Sequence, residues 1–124
     1  MKYHLSFVAL FLLGPSFAYS ADQSAEKPTI GTLPAAKVLF LGNSITLHGP
    51  APQIGWEGNW GMAASAESLD YVHLLTADIA KATGTRPQIM VRNIADFERG
   101  HATFEIASEF KKELAFQPDL VILA

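Results

Sequence analysis

The sequence contains no cysteine. Disulfides, thiolate metal centres and a cysteine nucleophile are therefore excluded, and a folded state has to rest on a buried apolar core. Basic residues are few. Nine Lys and Arg stand against twelve Asp and Glu, the formal net charge is -3, and no basic cluster is longer than Lys111-Lys112. That balance argues against a nucleic acid or an anionic membrane surface as a partner. No glycine-rich stretch ends in Gly-Lys-Ser/Thr, no dinucleotide fingerprint is present, and no pair of histidines with a carboxylate has ligand spacing. Neither a resident metal nor a cofactor is expected. A long apolar run is missing too: Leu5 to Leu13 (LSFVALFLL) is too short to span a bilayer comfortably.

The residues around that run fit export. Lys2 supplies a basic start, Gly14-Pro15 interrupts the apolar stretch, and Ala18-Tyr19-Ser20 offers the small residues that a signal peptidase reads. Residues 1–20 read as a secretory signal peptide, cleaved on the way to the periplasm or the exterior, with no membrane span left behind. Residues 21–35 (ADQSAEKPTIGTLPA), polar and carrying two prolines, read as a spacer. Residues 36–124 read as the folded part. With 49% apolar residues in the whole chain, a sizeable core is within reach.

In that folded part, apolar runs alternate with helical periodicities. Lys37 to Leu41 is apolar without alternation and ends at Gly42, which suits a strand buried on both faces. Residues 47–64 (LHGPAPQIGWEGNWGMAA) form a long glycine- and proline-rich loop, of the kind that is often functional. A helix is expected over 65–83, stopped by Gly84, with Val72, Leu75, Ile79 and Ala82 as its apolar stripe. A second strand is expected over 88–95. A second helix follows over 102–115, with Phe104, Ala107, Phe110 and Leu114 inward and Glu105, Glu109, Lys112 and Glu113 outward. A buried third strand follows over 119–124. Strand-helix-strand-helix-strand is the pattern of right-handed crossovers and a parallel sheet. Three parallel strands with two helices cannot easily cover both sheet faces, so the expectation is the N-terminal part of a larger domain, cut off after its third strand.

The stretch Val38-Leu39-Phe40-Leu41-Gly42-Asn43-Ser44-Ile45-Thr46 carries the chemistry. In open α/β sheets, ligand sites lie beyond the carboxyl ends of the strands, and Ser44 falls just past the first one. A serine on a tight turn there can present its hydroxyl to substrate while backbone N–H groups point at a developing oxyanion. Gly42 permits the turn and Asn43 supports it. On these residues alone, a plain turn and helix-cap cluster is the more natural reading.

The block Phe40-Leu41-Gly42-Asn43-Ser44-Ile45-Thr46 resembles the first sequence block of the GDSL/SGNH hydrolases, an apolar strand running into Gly-Asp-Ser-(Ile/Leu)-Thr. Asn43 stands where the aspartate is usual. The later order of loop, helix, strand and a strand ending Pro118-Asp119-Leu120-Val121-Ile122-Leu123 is similar to the family's. The resemblance implies an α/β, flavodoxin-like three-layer sandwich with a parallel sheet, here represented up to its third strand. It also implies a serine esterase in which Ser44 attacks an ester carbonyl and its own N–H joins the oxyanion hole. A second donor would come from a glycine after the second strand, for which Gly100 is the candidate. The resemblance places the asparagine donor (Gly-x-Asn) and the base (Asp-x-x-His) in later blocks, beyond Ala124. It implies an ester of a small molecule or a carbohydrate as the substrate, and no cofactor.

Three other features need weighing. Asp70-Tyr71-Val72-His73 has Asp-x-x-His spacing but falls within a helix, where such a pair is more naturally a local contact. His48, four residues after Ser44, is the other candidate base or a substrate contact; His101 is read as a helix start. Trp56 and Trp60 could stack on sugar faces above Ser44, or pin the long loop with their N–H groups satisfied. The first option gives a rival class, a non-catalytic carbohydrate-binding module on the same scaffold.

Overall fold

The computed structural model describes residues 26–124; the expected signal peptide and the beginning of the expected spacer lie outside the described residues. The described chain opens with a small antiparallel hairpin, β1 (Thr29–Ile30) and β2 (Leu33–Pro34), turned by Gly31 at φ 61°. Lys27 ties it down, its Nζ lying 2.5 Å from Asp119 Oδ1. The three apolar runs then build one parallel sheet. Strand β3 (Lys37–Gly42) is central, with β4 (Gln88–Asn93) on one side and β5 (Leu120–Leu123) on the other. The protein is thus a mixed α/β structure with a three-stranded parallel sheet and accompanying helices.

Side chains alternate across a strand, and the two faces of β3 meet different partners. Val38 and Phe40, paired in register with Ile89 and Leu120 and with Val91 and Ile122, are fully buried. They pack on Val72 and Ile79 of helix α1 (Tyr71–Thr83). Removing an aromatic ring of this size from water stabilises the fold by roughly 3 kcal/mol. Helix α1 ends as expected at Gly84, in the left-handed region with φ 73°. It begins at Tyr71, later than its periodicity suggested, because Asp70 and not Ser65 caps it: the Asp70 side chain accepts the His73 N–H. Residues 67–69 form a separate 3-10 turn before the cap.

Leu39 and Leu41 face the other way, toward helical segments of quite different build. A single helix over 102–115 does not form. Short pieces α2 (Ala95–Gly100), α3 (Ile106–Glu109) and α4 (Lys111–Phe116) take its place, with a 3-10 turn over 101–103. The pieces gather around Arg92, whose side chain leaves β4 on this face. Its guanidinium donates to the Glu109 carbonyl, pairs with Asp96 Oδ2 at 2.9 Å and Glu113 Oε2 at 3.4 Å, and stacks 4.4 Å from the centre of the Phe110 ring. A half-buried cation needs such partners. Glu113 is consequently turned inward, only 8% exposed, while Leu114 is 57% exposed, the reverse of the sequence expectation. The third strand also differs from its expected burial. β5 has a strand neighbour on one side only among the described residues, and Leu123 is 71% exposed.

Candidate active site

Ser44 is delivered by the central strand on a single tight turn. The Asn43 carbonyl accepts the N–H of Thr46 at 3.0 Å and of Leu47 at 3.2 Å, and the Asn43 side-chain oxygen accepts the Ile45 N–H at 3.1 Å. The amide therefore makes the local hydrogen bond that favours Asn and Asp in turns. Gly42 has no room for a side chain: a Cβ there would overlap Thr46 Oγ1 and lie 2.7 Å from the Ala124 carbonyl oxygen. Thr46 is buried, with Oγ1 2.8 Å from the Tyr71 hydroxyl, so the turn is pinned to the first residue of α1.

The Ser44 carbonyl accepts the Met62 N–H at 2.9 Å, which closes the base of the long loop. The Ser44 hydroxyl and N–H have no hydrogen-bond partner among the described residues. Ser44 lines a cleft of about 640 Å³ together with Asn43, His48, Asn93 and polar residues at the start of α2. Asn93 had no assigned role in the sequence. At the end of β4, its Nδ2 donates to the Leu47 carbonyl at 2.8 Å and its Oδ1 accepts the Ala95 N–H at 2.9 Å. One amide thus fastens the neighbouring strand end to the serine turn and starts α2. The visible signal was an amide directly after an apolar strand; its partner lies 46 residues away.

The cleft wall is charged as well as polar. The Asp96 carboxyl is held below the usual carboxylate range by the Phe97 N–H and by the Arg92 guanidinium, which together outweigh the opposing effect of desolvation. Glu98 and Arg99 are exposed beside it.

His48 enters the cleft from a braced position. Its N–H donates to the Trp60 carbonyl at 3.0 Å, its carbonyl accepts the Trp56 Nε1–H at 3.2 Å, and its ring Nδ1 lies 2.6 Å from the Gly49 carbonyl. The two indoles meet edge to face with ring centres 5.3 Å apart, and Trp60 Nε1 donates to the Ala64 carbonyl at 3.0 Å. Both indole N–H groups are thus used inside the loop, and neither ring lines the Ser44 cleft. Gly100 is the last residue of α2 and does not line the cleft either. His101 is exposed at the start of the 3-10 turn that follows.

Asp70 and His73 form a clasp that does not line the Ser44 cleft. Asp70 is 3% exposed; its Oδ1 lies 2.7 Å from both the His73 N–H nitrogen and His73 Nδ1, and its Oδ2 accepts the Gly61 N–H at 3.2 Å. Desolvation raises the Asp70 pKa, but the hydrogen bonds from His73 and Gly61 outweigh it and leave the carboxyl below its ordinary value. The pair therefore caps a helix and holds the end of the long loop. Among the described residues, no group of three or more potential ligands could hold a metal ion, and no helix is long and apolar enough to cross a membrane. Comparison with protein-family models, with curated proteins and with solved structures returned no match.

Proposed function

We propose that the protein is an exported serine hydrolase of the SGNH type, built on a flavodoxin-like three-layer plan, that cleaves carboxylic esters through an acyl-enzyme on Ser44. The hydroxyl attacks the ester carbonyl, the Ser44 N–H meets the developing oxyanion, the alcohol departs, and water releases the acid. The observation that carries this reading is the placement of Ser44. It stands at the carboxyl end of the central strand, on a turn that leaves both its hydroxyl and its N–H unengaged among the described residues, on the wall of a polar cleft. The lining of amides, carboxylates, imidazole and guanidinium favours a polar ester such as an acylated carbohydrate over a long-chain lipid ester. The enzyme reading is preferred to a sugar-binding module because both tryptophans brace the loop.

A fluorophosphonate probe on the full chain tests it. The expected result is one adduct, on the peptide containing Ser44, lost in Ser44→Ala without change in the circular dichroism spectrum. Absence of the adduct, or an adduct on another residue, refutes the reading.

A further inference from the structure

We propose that Asn93 is a positioning residue for Ser44: its amide fixes the serine turn against the opposite wall of the cleft, and so sets the rate at which Ser44 reacts. The proposal rests on the reading of Ser44 as a nucleophile. The turn is held at both ends by the end of β4. Before the serine, the Gly42 carbonyl accepts the Ile94 N–H at 2.7 Å. After it, the Leu47 carbonyl accepts from Asn93 Nδ2 at 2.8 Å. Gly42 and Asn93 are partners in the strand register, so the bond to Leu47 starts beside the point where the turn leaves the sheet.

The same side chain governs the other wall. Asn93 Oδ1 accepts the Ala95 N–H at 2.9 Å, where α2 starts, and α2 brings Asp96, Glu98 and Arg99 to the cleft. Among the described residues, the bond from Asn93 to Leu47 is the one side-chain hydrogen bond between the serine turn and that wall. Asparagine suits the place because it both donates and accepts. The Leu47 carbonyl can only accept and the Ala95 N–H can only donate, so the two partners also fix which way the amide points. An aspartate of the same shape keeps the bond to Ala95 and loses the one to Leu47.

That difference separates positioning from a role in the fold alone. Labelling of Ser44 by a fluorophosphonate is followed over a range of probe concentrations on the full chain, on Asn93→Asp and on Asn93→Ala. A nucleophile displaced by a fraction of a bond length reacts more slowly once the probe is bound, so the limiting rate should fall about 100-fold in both variants. The half-saturating probe concentration should stay close to that of the parent.

Asn93→Asp labelling at the parent rate overturns the proposal, because the amide would then matter only for the start of α2. A raised half-saturating concentration with an unchanged limiting rate makes Asn93 a substrate contact and overturns it too. Slow labelling with a changed circular dichroism spectrum in both variants assigns Asn93 to the fold and overturns positioning. Asn93→Ala sets no charge against the Leu47 carbonyl and carries the test should Asn93→Asp misfold. An unlabelled parent removes the nucleophile itself, which is a different failure from a labelled parent with indifferent variants.

Discussion

The two faces of the sheet are built on opposite plans. On one, a single helix of 13 residues, α1, lays Val72 and Ile79 on Val38 and Phe40, and its buried stripe is apolar apart from Thr76, whose hydroxyl donates back to the Val72 carbonyl. On the other, three short helices gather around one cation, Arg92, and leave an apolar hollow of about 390 Å³ between Leu39, Leu41, Phe97 and Phe110. The first face is held by close packing, which tolerates no loss of volume. The second is held by charge pairing, which tolerates no loss of a partner.

This contrast can be broken from either side. Phe40→Ala should have the largest effect, a loss of about 4 kcal/mol in urea unfolding, because the cavity opens in the fully buried layer. Arg92→Ala should follow at roughly 3 kcal/mol, chiefly because Glu113 is left inside without its cation. The double change Arg92→Met with Glu113→Leu sharpens the point. If the single variant is weak because Glu113 is left unpaired, the double variant should be about as stable as the parent, whereas a double variant as weak as the single one would show that this face depends on the charge pairing itself.

The smallest effect belongs to the junction of the loop with α1. Asp70→Ala should lower stability by about 2 kcal/mol, since it loses the cap and the hold on Gly61 together. The pH dependence separates these parts. Because the Asp70 carboxyl titrates below its ordinary value of 3.8 in the folded chain, its contribution is complete above that pH and is lost as the pH falls through the folded value. Asp70→Asn keeps a cap but removes the charge, so thermal melts below about pH 4 should fall less steeply with acidification than those of the parent.

The same contrast explains what was legible in the sequence. The α1 face was, because its strands are apolar runs, its helix repeats Val72, Leu75 and Ile79, and Gly84 stops it: all local signals. The start of α1 was not: periodicity puts it near residue 65, whereas Asp70 caps the helix through the His73 N–H and also holds the Gly61 N–H across the loop. On the other face, Arg92 lies within QIMVRNIA, which the sequence marks only as a strand, and its partners come from three later segments. Periodicity therefore assigned Glu113 to solvent and Leu114 to the core. The site divides likewise. Gly42, Asn43 and Ser44 followed from a strand running into a turn, whereas Asn93 acts on Leu47 across a distance in sequence that no local pattern reveals.

The loop from Ser44 to Met62 is closed three times over, by Met62 on Ser44, by the bridge between His48 and Trp60, and by the bridge between Ala51 and Trp56. Only the tip, Pro52 to Gly55, stands beyond the last closure, and it is exposed. Lengthening a flexible tip costs about 0.6 kcal/mol for each doubling of its length. The protein thus carries a place where new sequence can be inserted and selected without disturbing the serine below it, so evolution could vary what the loop reaches while leaving the chemistry unchanged.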